Sequence, residues 1–146
     1  MTKPPAAVRY VAPAGAIAPT GPWSLAALDT TTNTLYVAGM RGIDPATNKL
    51  VDGAEARIRQ AFANMRHIVE SQGATLHDCL RIVVYTTDMV RHRPIANQVQ
   101  QELWGDGPYP PRTIVEVRRL NDDDIFEVEG TFHVPGHVPG SRELEG

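Results

Sequence analysis

The sequence predicts an α+β domain in which two helices cover one face of a mixed β-sheet. Two segments place apolar residues at helical spacings of three and four, and several others are rich in β-branched residues. These segments follow one another in the order β-β-α-β-α-β-β. A length of 146 residues is enough for one such domain with a core of its own.

The first two predicted strands flank a Thr/Asn turn, and the second of them spans Thr34 to Met40. Residues 41–53 carry Gly, Asp-Pro and Asn and are predicted to form a loop. A helix is predicted over 54–72, with Gly73 as its terminator. Its apolar stripe consists of Ile58, Ala61, Phe62, Met65, Ile68 and Val69.

The second half of the domain repeats this alternation. The segment "CLRIVVYTTD", from Cys79, is almost continuously apolar and β-branched, which is typical of a central strand. A second helix is predicted over 89–104, with Pro94 in its first turn or at a kink. Two further strands, "RTIVEVRRL" and "IFEVEGTFHV", are joined by the acidic turn "NDDD".

The ends of the chain differ in composition from this body. Residues 1–20 are rich in Pro, Ala and Gly and are predicted to form an extended N-terminal arm. Residues 21–134 form the single predicted domain. Residues 135–146 are a C-terminal tail, and two Val-Pro-Gly units flank His137 where the domain ends and the tail begins.

The bulk composition excludes several classes of function. The net charge is −3 and no basic run occurs, which argues against a nucleic-acid partner. No apolar stretch reaches the length of a membrane span, and prolines interrupt the N-terminal segment where a signal peptide would be continuous. Cys79 is the only cysteine, so an internal disulfide is impossible. We expect a cytoplasmic protein without a membrane partner.

Strand alternation predicts which side chains face away from the helices. In the last strand, Phe126 and Val128 would lie under the helices, and Glu127 would point the other way. We expect Arg112, at the start of the preceding strand, to share the face of Glu127. Because one domain has nothing left to cover that face, an oligomer would cover it and form a cleft between subunits.

Arg112 and Glu127 are the candidate functional residues on that face. A guanidinium can bind a carboxylate through two hydrogen bonds, and a carboxylate on an apolar face can accept a proton from water. A solvated strand end is the plain alternative for each. Glu116 and Glu129 are equally eligible by alternation, so the residues alone leave the choice of carboxylate open.

Other chemistries find little support. Pro135 separates His133 from His137 and breaks the helical geometry that would bring them together on a metal. No serine lies in a nucleophile elbow, and Cys79 at the start of a buried strand is interpreted as a core residue. We expect no metal and no organic cofactor.

Several motifs of the chain resemble the Rid (YjgF) family of reactive-intermediate imine and enamine deaminases. They are "TGPW", "LYVAGMRGIDPATNKLV", "PPRTIVEVRRL" and "IFEVEG", in the same order and spacing. The resemblance implies a six-stranded, chorismate-mutase-like mixed sheet backed by two helices, and a homotrimer with clefts between subunits. It implies cofactor-free hydrolysis of a 2-imino or 2-enamino carboxylic acid to the 2-keto acid and ammonia.

The resemblance also assigns roles to residues. It implies that Arg112 binds the substrate carboxylate and that Glu127 handles the water. Backbone groups at Gly39 and Ile114 would line the cleft, and Trp23 would form its wall.

The chain departs from the common family pattern at several of these positions. Trp23 replaces a frequent tyrosine, Ile114 a frequent cysteine, and Arg41 is an added cation. These departures indicate a divergent subgroup. A narrower hypothesis gives Arg41 a second substrate carboxylate, as in 2-aminomuconate or a related ring-cleavage product. The alternative from another class is a non-catalytic trimer that binds or senses small carboxylates.

Overall fold

A computed structural model describes residues 7–136 of the chain and contains a six-stranded mixed sheet with two helices. The sheet has the order β1-β2-β3-β8-β6-β7, and β4 and β5 form a separate pair. The strands are β1 (Val8–Val11), β2 (Ala26–Asp29), β3 (Thr34–Met40), β4 (Ile43–Asp44), β5 (Lys49–Leu50), β6 (Cys79–Thr86), β7 (Arg112–Glu116) and β8 (Phe126–His133). The helices are α1 (Ala54–Ser71) and α2 (Met89–Trp104). The predicted α+β class is confirmed.

Both helices begin and end close to the predicted residues. Helix α1 buries the whole predicted apolar stripe, and Gly73 follows it with a positive φ of 81°. Helix α2 begins after Asp88, whose side chain accepts a hydrogen bond from the Arg91 backbone N–H. The helix continues through Pro94. Neither helix within residues 7–136 combines the length and apolar character needed to cross a membrane.

The sheet is mixed because one pair of neighbouring strands is parallel. Strands β6 and β7 pair in parallel, and α2 makes the connection between them. The neighbouring pairs β3–β8 and β6–β8 are antiparallel. Strand β7 is therefore an edge strand, and β8 lies near the centre of the sheet.

The core lies between the sheet and the helices. Phe126, Val128 and Phe132 of β8 are fully buried on that side, as alternation predicts. Phe62 of α1 contacts Phe126, with ring centroids 5.8 Å apart, and contacts Trp104 of α2 edge-on. The Trp104 indole N–H donates to the Leu76 carbonyl at 2.9 Å, so its one polar atom is satisfied within the core.

The predicted N-terminal arm is in part a strand of the sheet. Residues Val8–Val11 pair with β2 and supply the sixth strand, which the β-branched pattern did not reveal. The sheet therefore begins before residue 21, where we placed the start of the domain. Residues 1–6 of the arm and 137–146 of the tail lie outside the described residues.

The loop predicted over 41–53 contains a small hairpin. Strands β4 and β5 pair through Ile43 with Leu50 and Asp44 with Lys49. Asn48 adopts a positive φ of 58° in the turn between them, a conformation that asparagine tolerates. Sequence patterning overlooked these strands because each is two residues long.

The expectation that Arg112 and Glu127 share a face of the sheet is wrong. Arg112 lies opposite Ile82 of β6, and Glu127 lies opposite Tyr85 of the same strand. Since residues three apart in a strand point to opposite faces, the two side chains do so as well. Arg112 is on the helix side with the buried Ile82, and Glu127 is on the uncovered side. Alternation within each strand was right, but the register between strands was not available from sequence.

Gly42 is required where the chain passes helix α1. A Cβ atom built there would lie 2.3 Å from Cγ and 2.4 Å from the backbone O of Arg57. Because helix backbone has little freedom to yield, we expect Gly42→Ala to lower the free energy of unfolding by about 3 kcal/mol. Urea denaturation measures this, with Gly21→Ala as control because its nearest contact would be an ordinary 3.4 Å. A loss below about 1 kcal/mol for Gly42→Ala would show that the loop moves away easily.

Candidate active site

All of the predicted site residues except Ile114 line one of two cavities. The first, of about 300 Å³, contains Glu127 and is called here the Glu127 cavity; its lining residues are Ile17, Thr20, Trp23, Ala38, Gly39, Arg41, Ile43, Asn121 and Glu127. The second, of about 250 Å³, is called the Arg112 cavity; it is lined by Asn97, Gln100, Gln101, Tyr109, Pro110 and Arg112. The two linings share no residue.

Glu127 is a half-buried carboxylate on the uncovered side of the sheet. Burial raises the pKa of its carboxyl group, and the neighbouring carboxylates of Glu129 and Asp124 act in the same direction. The guanidinium of Arg41 opposes this shift of the pKa without cancelling it. A carboxylate in such a place is a stronger base than one in water.

The three carboxylates that alternation left open have different partners. Glu129 accepts a short hydrogen bond from the Tyr85 hydroxyl. Glu116 accepts from the Met89 backbone N–H at 2.9 Å, at the start of α2. Within residues 7–136, no group donates a hydrogen bond to Glu127. Glu127 is therefore the carboxylate available to a ligand.

Gly39 allows Glu127 to lie against the backbone of β3. A Cβ atom at Gly39 would lie 2.6 Å from Cδ and 2.8 Å from Oε2 of Glu127. The ladder between β3 and β8 shifts by one residue between Val37 and Met40, which is a β-bulge at this point. The bulge and the missing side chain together make room for the carboxylate beside the strand.

Arg41 lines the Glu127 cavity, but acceptors of the same chain already bind its guanidinium. Its Nη1 donates to Asp124 Oδ2 at 2.9 Å and to the Asn121 carbonyl at 3.0 Å. Its Nη2 lies 3.3 Å from Asp122 Oδ2. Arg41 is 5% exposed and Asp124 1%, so the pair is a buried link between two loops.

Arg112 is held by two neutral acceptors of helix α2. Its Nη1 donates to Asn97 Oδ1 at 2.8 Å and to Gln100 Oε1 at 2.6 Å. Burial lowers the pKa of Arg112, and the nearby Arg93 adds to this. No acidic side chain among residues 7–136 forms an ion pair with Arg112. Its positive charge is fixed in direction and remains uncompensated.

Ile114 lies in neither cavity. It pairs with Val84 of β6 on the helix side, and its side chain packs against the core. Trp23, which was predicted to form a wall, is 37% exposed at the rim of the Glu127 cavity.

Sequence reasoning missed several residues of the two cavities. Asn97 and Gln100 lie one turn apart on α2, and that i, i+3 spacing of two amides was a signal that could have been used. Ile17 and Thr20 belong to the segment interpreted as an arm. Tyr109 lies in the loop before β7, where its hydroxyl donates to the Gly105 carbonyl at 2.6 Å.

The Cys79 thiol and the His92 imidazole, two other potentially reactive groups of the described chain, have structural environments. Burial raises the pKa of the Cys79 thiol to about 12, so the thiolate nucleophile is scarce at neutral pH. His92 is buried, and its Nδ1 lies 2.9 Å from Thr86 Oγ1. Residues 7–136 contain no group of three or more His, Cys, Asp or Glu side chains placed to hold a metal ion.

Comparison with known proteins agrees with this architecture. A family model described as Endoribonuclease L-PSP matches residues 13–134. A solved structure of a probable translation initiation inhibitor from Rhodopseudomonas palustris is 45% identical, with a TM-score of 0.83, covering 88% of this chain and 98% of that one. RidA from the Antarctic bacterium Psychrobacter sp. PAMC 21119 is 30% identical, with a TM-score of 0.80, covering 86% and 99%.

A curated relative carries the name of an activity. The 2-iminobutanoate/2-iminopropanoate deaminase of Dermatophagoides farinae is 32% identical over 112 residues, which are 76% of this chain and 84% of that protein. The chain therefore belongs to the endoribonuclease L-PSP family, the Rid (YjgF) family that its motifs resemble.

Proposed function

We propose that the protein is a deaminase that hydrolyses a 2-imino or 2-enamino carboxylic acid to the 2-keto acid and ammonia. The observation that carries this proposal is the Glu127 carboxylate, whose pKa is raised and which has no hydrogen-bond donor among residues 7–136. The deaminase names of several relatives support the same reaction class.

The proposed chemistry asks little of the protein. Glu127 takes a proton from a water molecule as its oxygen attacks C2 of the iminium, and the C=N bond becomes a single bond. Glu127 then gives that proton to the nitrogen. As the C–N bond breaks, the C2 hydroxyl passes its proton to Glu127 and becomes the keto group, and ammonia leaves. The proton on Glu127 goes to solvent, where ammonia takes it up as ammonium. Because an iminium carbon is already electrophilic, orientation and one base suffice and no cofactor is required.

Arg112 would bind the substrate carboxylate. Its charge is uncompensated within the described chain, and its Nη1 hydrogen bonds fix the plane of the guanidinium. A planar donor pair held in this way matches the two oxygens of a carboxylate.

The substrate favoured by this geometry has one carboxylate. A dicarboxylate such as 2-aminomuconate would need a second available cation, and Arg41 was the candidate. Asp124 and Asp122 already bind the Arg41 guanidinium, which supports a monocarboxylate instead.

We further propose that two copies of the chain complete each site. Glu127 and Arg112 point to opposite faces of one sheet and line separate cavities. A substrate with adjacent carboxylate and imine groups is too small to bridge them within one chain. A homotrimer would place the Arg112 of one subunit beside the Glu127 cavity of the next, while covering the open face of the sheet.

The function is tested by following an imine made in solution. 2-Iminobutanoate is generated enzymatically from an amino acid, and the remaining imine is trapped with semicarbazide over time. The proposal expects the protein to accelerate release of ammonia and 2-oxobutanoate above the spontaneous rate. Spontaneous rates together with calorimetric binding of 2-oxobutanoate would instead support the non-catalytic carboxylate-binding trimer.

A further inference from the structure

Gln100 is a buried amide in contact with the proposed carboxylate receptor. It is 5% exposed, and its Oε1 accepts from Arg112 Nη1 at 2.6 Å. It is thus both the more buried and the closer of the two amides that hold Arg112, since Asn97 is half-buried and lies at 2.8 Å.

The orientation of the Gln100 amide follows from the chemistry of its partner. A guanidinium has only donors, so the oxygen of the amide must face Arg112 and its NH₂ group must point elsewhere. Within residues 7–136, no acceptor binds that NH₂ group. Gln100 and Arg112 both line the Arg112 cavity.

Three other arginines of the chain are held differently. Arg41, Arg59 and Arg66 each bind a carboxylate, namely those of Asp124, Glu102 and Glu70. An arginine bound to a carboxylate has its charge neutralised locally. Arg112 is bound to amides, which restrict its motion without neutralising it.

We propose that Gln100 is a positioning residue that fixes Arg112 through a neutral acceptor and so keeps its charge available to a substrate carboxylate. This role rests on the proposed function of Arg112. It specifies that position 100 requires an uncharged acceptor, because an acidic side chain of similar size would occupy the guanidinium as a competing ligand.

A change at Gln100 is expected to affect substrate binding and not the chemical step. The substrate carboxylate is attached to C2 but takes no part in breaking the C–N bond, and it keeps its charge throughout the reaction. Arg112 therefore binds the ground state and the transition state alike, and a loss of that interaction raises KM while kcat changes little.

Gln100→Glu is the direct test. We expect KM for 2-iminobutanoate and the dissociation constant of 2-oxobutanoate to rise about 10- to 100-fold, as for the loss of a charge-assisted hydrogen bond. Gln98→Glu is the matched control, because it adds the same charge to an exposed position of the same helix, outside the lining of the Arg112 cavity. We expect it to change either constant less than about threefold.

A second variant separates positioning from folding. Gln100→Met retains the shape of the side chain but removes the acceptor, and we expect KM to rise by about fivefold, less than in Gln100→Glu, because one hydrogen bond is lost. Thermal melting checks that both variants fold.

Each outcome decides a different point. Equal constants in Gln100→Glu and Gln98→Glu, or a fall in kcat without a rise in KM, would overturn the positioning role and leave the proposed function standing. If Gln100→Glu does not fold, an unchanged KM in Gln100→Met overturns the role. Wild-type protein that neither accelerates imine hydrolysis nor binds 2-oxobutanoate would reject the proposed function together with this role.

Discussion

Glu127→Gln is expected to lower kcat for imine hydrolysis by about 10²- to 10⁴-fold, the usual contribution of a positioned general base. The amide has the same shape but is unable to accept the proton from water. Because burial disfavours the charged form of Glu127, the substitution is not expected to destabilise the fold. Steady-state kinetics and urea denaturation measure the two effects.

Glu129→Gln is the matched control for this variant. Glu129 lies two residues away on the same strand and face, but its carboxylate is bound to Tyr85. We expect its kcat to remain within about tenfold of wild type. Equal losses of kcat in the two variants would indicate that activity depends on the negative charge of this face of the sheet, rather than on a base at position 127.

The pH profile offers a further check on Glu127. Since its pKa is raised in the folded protein, the active carboxylate form is lost at a higher pH than for a glutamate in water. The rate should fall as the pH drops through that raised pKa. In Glu127→Gln this acid limb should disappear.

Arg112→Ala is expected to reduce kcat/KM by about 10²- to 10³-fold, mainly through KM, because the substrate carboxylate loses its charged partner. Arg112→Lys should recover only part of the loss, since an ammonium lacks the planar pair of donors. Arg119→Ala removes an exposed cation that pairs with Asp123 and serves as the control. An Arg112→Ala variant with unchanged KM would remove Arg112 from substrate binding.

The helices were predictable because their signals are local. Apolar spacing over 54–72 and 89–104 indicates which face of each helix is buried. That face can be predicted without knowing which elements pack against it. Strand β1 escaped prediction because Val8–Val11 is a short edge strand in a proline-rich segment. Its place in the sheet depends on pairing with β2, which is a contact distant in sequence.

The candidate site residues could be chosen from the sequence, but their arrangement could not. Arg112 was chosen as a guanidinium at a strand start and Glu127 as a carboxylate on a partly apolar face, and their roles stay predictions. Their faces depend on how β6 pairs with β7 and with β8, and a shift of one residue reverses a face. The Arg41 guanidinium is bound by Asp124, which lies 83 residues later in the chain. That contact is visible only in the fold.

The central claim is that the Arg112 of one subunit and the Glu127 of another form one site. It is tested at substrate concentrations well below KM, where Arg112→Ala and Glu127→Gln are both nearly inactive, by mixing the two variants, unfolding them together and allowing joint reassembly. In random trimers each shared site has both native residues in about one case in four, so about a quarter of wild-type activity should return. Each variant reassembled alone should remain inactive. If the mixture stays as inactive as its components although the chains exchange, Arg112 and Glu127 act within one chain and the claim is wrong.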